Sequence, residues 1–410
     1  MIVGKAGCGL QYAVKRSGSA VGYCSLSIKC GTRDEAGFPE GTAHFTEHTI
    51  FKGTARRSAS SINSYLDRLG GELNAYTTKE EIVIHSTVLK EDLGKALGLL
   101  MELATSPSFP CSEVETEKGV VIDEINSYKD SPSEEIYDKF EEMLFKGHPL
   151  GRRILGKSSD IRKITSEDLR RFTVERFLPS RMALAVVSDV DEKKMEGNIL
   201  RLVSRFFGDS RSPEPVPTTV YSEPVPCIFD KTIEKRNHEA NAVFGGTAPS
   251  LYDGDARYPA ALLANILGGP ASNSLLNSEL REKRGWVYNV ETTYTQYADT
   301  GAFIISLGCD RANLEKCFRS IYRVVGKLQD APLGEVRMKA ARKQLLGQMA
   351  ISSDNGETQC LSMGKSLLAY GRISTDQELR DRISSISAES IMNAARTILD
   401  PSRLSRLIFL

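Results

Sequence analysis

A chain of 410 residues is longer than a single hydrophobic core usually accounts for, and this length predicts two or three domains. Apolar residues make up 40% of the sequence and charged residues 26%, which is typical of a soluble globular protein. Lysine plus arginine equals aspartate plus glutamate at 53 each, so the overall charge argues against partners such as nucleic acid or a membrane surface.

The first residues, MIVGKAGCGLQYAVKRSG, lack the basic start and apolar core of a signal peptide. The longest apolar runs, such as residues 182–187, are far shorter than the roughly 20 residues that span a bilayer. Eight cysteines are scattered without C-x-x-C pairs, which indicates reduced thiols rather than a disulfide framework. These features predict a cytoplasmic protein without a membrane segment, although a chain whose signal had been removed would read the same way.

Strands and helices are predicted in the same order in both halves. A strand ending in Gly-Thr (26–32, then 242–247) precedes a helix-like segment. A β-rich stretch (70–88, then 284–309) and a long amphipathic helix follow in each half. Alternating Val, Ile, Tyr and Thr indicate the strands, and apolar spacings of three and four indicate the helices. The pattern predicts a duplicated α+β domain, each copy a mainly antiparallel sheet covered by helices on one face.

The strongest chemical signal is the HFTEH motif at residues 44–48. On a helix, His44 and His48 lie one turn apart on one face and can present two imidazoles to one metal ion. Glu47 lies beside them without needing to be a ligand. Zinc accepts histidine nitrogens and a carboxylate in catalytic sites, and a nearby carboxylate can take a proton from the zinc-bound water. The alternative is two ordinary histidines that share a helix, and it is disfavoured because the chain has only five histidines.

A third ligand could come from a second predicted helix, SEVETEKGVVIDEINSY, at residues 112–128. Glu117 and Glu124 are seven residues apart, about two helical turns, and therefore share a face. The alternative is a solvated charged helix with intrahelical pairs such as Glu115 with Lys118. Considered alone, the residue pattern of this helix favours that alternative.

The stretch from residue 208 to 226, GDSRSPEPVPTTVYSEPVP, carries five of the sixteen prolines. Proline fixes φ and removes a backbone donor, so such a run is typical of an extended linker. It predicts a metal-binding domain at 1–208, a linker at 209–226 and a similar domain without metal at 227–410.

Three blocks together resemble the pitrilysin and insulinase superfamily of inverted zincins: HFTEH with FKGT after it, LGGELNAYT (69–77) and EKGVVIDE (117–124). The short bacterial members akin to the mitochondrial processing peptidase are the most similar. In that family the third ligand lies 76 residues beyond the second histidine of the motif, a position that Glu124 holds here. The family also has a glutamate seven residues earlier that is important for activity without being a ligand, and this position matches Glu117.

The resemblance continues in the second half, at residues 267–290, where the family has an arginine and a tyrosine that approach the substrate. These match Arg281 and Tyr288, whose side chains could stabilise an oxyanion; the alternatives are a surface charge and a half-buried strand residue. Two departures from the family pattern are the altered glycine-rich loop, with Pro270 and Asn273, and the bulky Trp286.

The second half lacks the metal-site residues themselves. Aligning the two Gly-Thr strand ends and the two Glu-Val helix starts puts Pro259, Leu263, Lys339 and Leu346 at the positions of the two histidines and the two glutamates. The sequence therefore predicts one Zn²⁺ per chain.

The resemblance implies a zinc-dependent metalloendopeptidase acting on short or unfolded peptides, with Glu47 as the base. Asn74 and Ala75 are predicted to line the substrate groove, where an extended peptide could add to the strand edge; alternatively, Asn74 caps a turn. Family members form a clamshell, so a chain of this length would be one half of a homodimer, or of a heterodimer with a homologous subunit. The alternatives are a catalytically silent scaffold, a subunit active only with such a partner, and a hydrolase of non-peptide substrates.

Overall fold

The computed structural model describes residues 1–208, 224–235 and 238–410. Up to residue 208, the strands and helices are β1 (Ile2–Lys5), β2 (Gln11–Arg16), β3 (Val21–Ile28), α1 (Thr42–Thr49), α2 (Ala59–Asp67), β4 (Glu72–Thr77), β5 (Ile82–Leu89), α3 (Leu93–Thr105), α4 (Cys111–Lys129), α5 (Pro132–Leu144), α6 (Ser158–Ile161), α7 (Ser166–Arg176), β6 (Met182–Ser188) and α8 (Glu192–Phe207). From residue 224 onward, they are β7 (Asp230–Ile233), β8 (Glu239–Ala248), α9 (Arg257–Gly268), β9 (Val287–Gln296), β10 (Gly301–Asp310), α10 (Leu314–Asp330), α11 (Glu335–Asp354), α12 (Gly356–Tyr370), α13 (Asp376–Ser384), α14 (Ala388–Ile398) and β11 (Ser405–Phe409).

Two sheets share one strand order, which confirms the prediction of two similar, mainly antiparallel α+β domains. The first sheet is β1-β2-β6-β3-β5-β4 and the second is β7-β11-β8-β10-β9. In the first sheet, β2 and β6 form the parallel pair; in the second, β7 and β11 do so at the matching place. The remaining pairs are antiparallel. Within the described ranges, the second sheet therefore repeats the first without a counterpart of β1.

The two predicted β-rich stretches each form a hairpin at one edge of a sheet. The β-rich stretch at 70–88 forms β4 and β5, and that at 284–309 forms β9 and β10. Each hairpin is followed by its amphipathic helix, α3 or α10, whose apolar stripe packs on the sheet. In the chain, the edge strand β4 follows α2, which in turn follows α1.

The prediction that helices cover only one face of each sheet is wrong, because both faces are buried. In the first sheet, α3 and α8 cover one face, while Cys360, Met363 and Leu367 of α12 pack on the other against alanines and a valine of β2 and β6. In the second sheet, α5 has the role of α12. Each fully buried Met or Leu contributes about 1.5–3 kcal/mol.

The chain divides into two compact units that are not separated by a single cut. Residues 1–126 and 351–374 belong to the first unit, and residues 127–151 and 375–410 belong to the second. Helix α5, from the first half of the sequence, therefore belongs to the second unit. Helix α12, from the second half, belongs to the first unit. We call this arrangement the exchange of α5 and α12. The predicted linker at 209–226 lies mostly outside the described residues, so that boundary stays a prediction. In the described part of the chain, no helix combines the length and apolar character needed to cross a membrane.

Two backbone segments approach each other closely at the start of α1, and each has a glycine there with a positive φ. These are Gly41, with φ of 91°, and Gly156, with φ of 69°. A Cβ on Gly156 would lie 2.4 Å from the backbone oxygen of Glu40. We expect Gly156→Ala to lower the free energy of unfolding by about 2–4 kcal/mol, because backbone strain and a collision with main chain add together. Gly37→Ala is the control, since its φ is also positive, at 85°, but no atom lies within 4 Å of its Cβ position. It should cost only about 1 kcal/mol in the same denaturation experiment, and equal losses would contradict the collision argument.

Candidate metal centre

Helix α1 presents two imidazoles side by side. The ring centroids of His44 and His48 are 4.6 Å apart, as expected for residues one helical turn apart. His44 is buried and His48 is half-buried. The other face of the short helix carries Phe45, which is fully buried in the core of the first unit. Burial of that face turns the HFTEH pair toward the neighbouring helix.

That neighbour is α4, which brings a carboxylate to both rings. The Oε2 atom of Glu124 lies 3.8 Å from Nε2 of His44 and 3.4 Å from Nε2 of His48. One ligand atom from each of the three residues lies within 4.8 Å of the other two, and no other such group of three occurs in the described part of the chain. Two residues on one helix and one on another therefore converge on a single point.

Glu117 lies seven residues before Glu124, on the same face of α4, and forms a hydrogen bond with Nδ1 of His48. Its Oε1 atom is 3.0 Å from Nδ1 of His48, and its Oε2 atom is 2.7 Å from Nζ of Lys52. Because Nδ1 donates its proton to Glu117, the neutral form of the His48 ring has its lone pair on Nε2, the atom that faces Glu124. Burial raises the pKa of the Glu117 carboxyl, but hydrogen bonds from His48 and Lys52 outweigh it and the net pKa is lowered, so Glu117 is an anion.

The charges around the two histidines favour a cation. Burial lowers the pKa of His48, yet the carboxylates of Glu117, Glu124 and Glu47 outweigh burial and raise it to about 9. Burial and the neighbouring His48 lower the pKa of His44 to about 4, so His44 is a neutral ring. The imidazole of His48 lowers the pKa of the Glu124 carboxyl in spite of partial burial. A positive charge is thus stabilised at the Nε2 side of the rings.

Glu47 points toward the edge strand of the sheet. Its Oε2 atom accepts a hydrogen bond of 3.2 Å from the hydroxyl of Thr77, the last residue of β4. Burial raises the pKa of the Glu47 carboxyl, while His48 and the Thr77 hydrogen bond oppose the rise. A carboxylate with a raised pKa is a stronger base than an exposed one, which suits a group that accepts a proton from water.

The residues predicted to line a substrate groove lie on β4, where Asn74 is exposed and Ala75 is half-buried. They pair with His85 and Ile84 of β5, and β5 is the one neighbour of β4 in the described sheet. Among the described residues, no strand pairs with the opposite edge of β4. Since β4 ends at Thr77, beside Glu47, this edge leads to the metal centre.

Arg281 and Tyr288 lie in the second unit, so their predicted action on substrate stays a prediction. Arg281 is in a π-helical segment (Asn277–Glu282) and pairs with the adjacent Glu282. Tyr288, on the edge strand β9, is 57% exposed and donates a hydrogen bond of 2.8 Å to Asp310. Neither side chain is buried, so both can reach a ligand.

The second unit carries the corresponding helices without the ligands. Pro259 and Leu263 lie on α9, and Lys339 and Leu346 lie on α11. Proline is tolerated at position 259 because it falls in the first turn of α9, where its missing N–H has no intrahelical partner to lose.

The first-unit cluster fits a zinc ion by its donor set and by its unsatisfied atoms. Two imidazole nitrogens and one carboxylate oxygen are typical zinc ligands, whereas calcium and magnesium prefer oxygen alone. The buried Oε2 atom of Glu124 lies at ion-pair distance from both rings, 3.4 Å from Nε2 of His48 and 3.8 Å from Nε2 of His44, but no described residue meets it with good hydrogen-bond geometry. A cation between these three atoms would satisfy the buried oxygen better than the two long contacts do.

Two residues of the site, Lys52 and Thr77, were not predicted from the sequence. Both lie inside blocks that carried the resemblance, FKGT and LNAYT, but single-sequence spacing does not reveal which atoms meet across the fold. Lys52 follows His48 by four residues, the spacing of a helical neighbour, and this was the available signal.

Comparison with known families matches both halves of the chain. Residues 12–158 match the insulinase family, peptidase family M16, and residues 163–345 match the inactive domain of peptidase family M16. An uncharacterized zinc protease of Mycobacterium leprae (strain TN) is 30% identical over 378 residues, which cover 91% of this chain and 83% of that protein. An uncharacterized zinc protease of Bacillus subtilis (strain 168) is 27% identical over 372 residues, covering 90% and 88%.

Solved structures share the fold over its whole length. A protease from Helicobacter pylori superposes with a TM-score of 0.90 at 20% identity, covering 100% of this chain and 98% of that one. A peptidase M16 inactive domain from Pseudomonas fluorescens gives the same TM-score at 18% identity, covering 100% and 97%. At these identities the likeness shows a common fold.

Proposed function

Since this chain belongs to the insulinase family of peptidases, M16, and is a metallopeptidase, we propose that His44, His48 and Glu124 bind its zinc and that Glu47 is the general base. The observation that carries the proposal is the convergence of three ligand atoms within 4.8 Å, with Glu47 on the same helix as two of them. The proposed stoichiometry is one zinc per chain, because the equivalent positions of the second unit have no metal ligands.

In the proposed reaction, Glu47 removes a proton from the water that attacks the peptide carbonyl and later delivers it to the leaving amine. Bound zinc supplies Lewis acidity and lowers the pKa of water toward about 7. His48 is kept in the tautomer with its lone pair on Nε2 by Glu117, which is a positioning residue. The hydroxyl of Thr77 orients the Glu47 carboxylate, and Tyr288 is proposed to donate a hydrogen bond to the oxyanion.

The proposed substrates are short or unfolded peptides that add as a strand to the open edge of β4, past Asn74 and Ala75. Backbone hydrogen bonds give such an interface affinity with little side-chain selectivity. An extended chain is required, because a folded segment has its backbone donors and acceptors already paired.

A mixed library of unstructured peptides, analysed by mass spectrometry after incubation with purified protein, tests the proposal. We expect cleavage that a chelator abolishes and added zinc restores. Bound zinc without cleavage would favour a subunit that needs a homologous partner. Absence of both zinc and cleavage would favour the silent scaffold, and hydrolysis of only non-peptide esters or amides would contradict the substrate class.

The proposed assembly is a cytoplasmic homodimer in which Arg281 and Tyr288 serve the zinc centre of the partner subunit. This arrangement predicts that two inactive variants, Glu47→Gln and Tyr288→Phe, restore activity when they are mixed and allowed to exchange subunits. One of the two sites in each heterodimer would be intact, so activity should reach about a quarter of the native level with random exchange. Mixing Glu47→Gln with Glu47→Gln,Tyr288→Phe is the control and should remain inactive. A stable, fully active monomer would contradict the assembly.

Glu117→Gln is expected to weaken zinc binding by about 10–100-fold, since it removes the anion that holds Nδ1 of His48 and leaves Lys52 unpaired beside the ligands. Competition with a chromogenic chelator measures the change. Glu115→Gln is the matched control on the same helix, because its carboxylate is exposed and pairs with Lys118. Equal zinc affinity in both variants would contradict the role of Glu117.

A further inference from the structure

Glu35 is a fully buried carboxylate outside the metal-binding motif. Its exposure is 0%, and it lies between the first sheet and helix α1, in the segment that follows β3. A buried carboxylate is costly unless its oxygens are satisfied, so its partners indicate what it does. It is not a proposed ligand, and its hydrogen bonds are made to the backbone rather than to the side chains of His44, Glu47 or His48.

The two groups that donate hydrogen bonds to the Glu35 side chain are backbone N–H groups at the start of α1. The Oε2 atom of Glu35 accepts a hydrogen bond of 3.1 Å from the N–H of Gly41, and its Oε1 atom accepts one of 2.8 Å from the N–H of Ala43. Gly41 is the residue before the helix and has no side chain to cap it. A remote carboxylate thus does what a serine or aspartate at that position usually does.

The surroundings of Glu35 act in opposite directions on its carboxyl group. Burial outweighs the two backbone N–H donors and the guanidinium of Arg152, at 3.9 Å, and raises the pKa of Glu35 to about 8. The contact with α1 rests on geometry, because each of the two oxygens accepts a hydrogen bond from a different backbone N–H of the first turn.

The two metal-facing histidines differ in what orients them. His48 is held through its ring by Glu117. The Nδ1 atom of His44 is buried and has no hydrogen-bond partner among the described residues. The direction of the His44 ring therefore depends on the backbone of α1, and His44 immediately follows Ala43, which Glu35 holds. A helix of eight residues has little intrinsic stability with which to fix its own first turn.

We propose that Glu35 is a positioning residue of the metal centre, which fixes the first turn of α1 and thereby the position of His44. The inference rests on the proposed zinc ligands and extends them to a residue nine positions before the motif. Glu35 does for His44, through the backbone, what Glu117 does for His48 through its ring.

Glu35→Gln tests this role with little change in shape. A carboxamide keeps one acceptor oxygen and turns an NH₂ group toward the other backbone N–H, so the first turn of α1 loses one of its two anchors. We expect the zinc dissociation constant to rise by about 10-fold in chelator competition. The visible absorption of the Co²⁺-substituted protein should also change, because it reports the geometry of the ligands.

Glu102→Gln is the matched control. Glu102 is also a buried carboxylate of the first unit, but its partners are Thr54 and Arg57 rather than α1. This variant should lose comparable thermal stability while its zinc affinity and cobalt spectrum stay native. If Glu35→Gln does not fold, Glu35→Asp keeps the carboxyl group and shortens the reach to the two amides, and the same zinc and cobalt changes are expected.

Native zinc affinity in a folded Glu35 variant would overturn the inference, and so would equal weakening in Glu102→Gln, which would indicate a general loss of stability. These outcomes are distinct from failure of the proposed function itself. In that case the unmodified chain would bind no zinc, and this measurement comes first in the same experiment.

Discussion

Glu47→Gln is expected to lower kcat/KM for peptide cleavage by about 10²–10⁴-fold with zinc still bound. Glutamine has nearly the shape of glutamate but cannot accept a proton from water. The hydrogen bond from Thr77 can still be made to the amide oxygen, so the local structure should be retained. Initial rates on one defined peptide, together with zinc content by atomic emission, separate the loss of the base from the loss of the metal.

Asp123→Asn is the control for this charge change. Asp123 is exposed on α4 next to Glu124. Its substitution by asparagine removes one negative charge near the metal centre but changes neither the proposed base nor a proposed ligand. Its kcat/KM should stay within a factor of a few of the native value. Substantial cleavage by a zinc-loaded Glu47→Gln protein would exclude Glu47 as the base and direct attention to another carboxylate of the site.

Glu124→Gln should abolish activity by a different route, through loss of the metal. The two remaining imidazoles present a neutral pair of donors, whereas the carboxylate supplies the negative charge that faces both Nε2 atoms. Changes beyond the direct ligands cost about 10–100-fold in metal affinity, so removal of a direct ligand should cost more than about 100-fold. Zinc should therefore be lost on dialysis, and cleavage should not recover at micromolar zinc.

Glu115→Gln is again the matched control, because this carboxylate is exposed on the same helix and the variant should keep both zinc and activity. Stoichiometric zinc in dialysed Glu124→Gln protein would show that the third ligand is another group. Together with Glu47→Gln, this variant separates the two components of the centre, since one keeps zinc without activity and the other loses both.

The pairing of the two histidines on α1 could be predicted from the sequence, because it depends only on residues close together in the chain. His44 and His48 are four residues apart on one helix, and helical geometry alone brings their rings together. Glu124 was different, since residue spacing within 112–128 favoured an ordinary charged helix and only the family resemblance selected it. The meeting of α1 and α4 depends on long-range packing that one sequence does not display.

The sequence does carry an indication that the second face of each sheet is buried. Strand β6, MALAVVS, is buried at every position, and a continuous apolar run indicates a strand covered on both sides. The sequence does not say which helix covers it. At Gly364 of α12 a Cβ would lie 2.5 Å from the hydroxyl of Ser27, so the fit depends on a close approach between residues more than 300 positions apart.

The exchange of α5 and α12 has a consequence for biosynthesis. As the chain leaves the ribosome, the first sheet is complete once Ser188 has emerged, but the helix that covers its second face ends at Tyr370. At about 5–20 residues per second, an apolar surface of the nascent chain stays uncovered for roughly 9–36 s. The first unit therefore cannot reach its native state before the second is almost fully synthesised. A premature stop near residue 210 would release a fragment in which this apolar face of the first sheet stays uncovered, and such exposed surface favours aggregation.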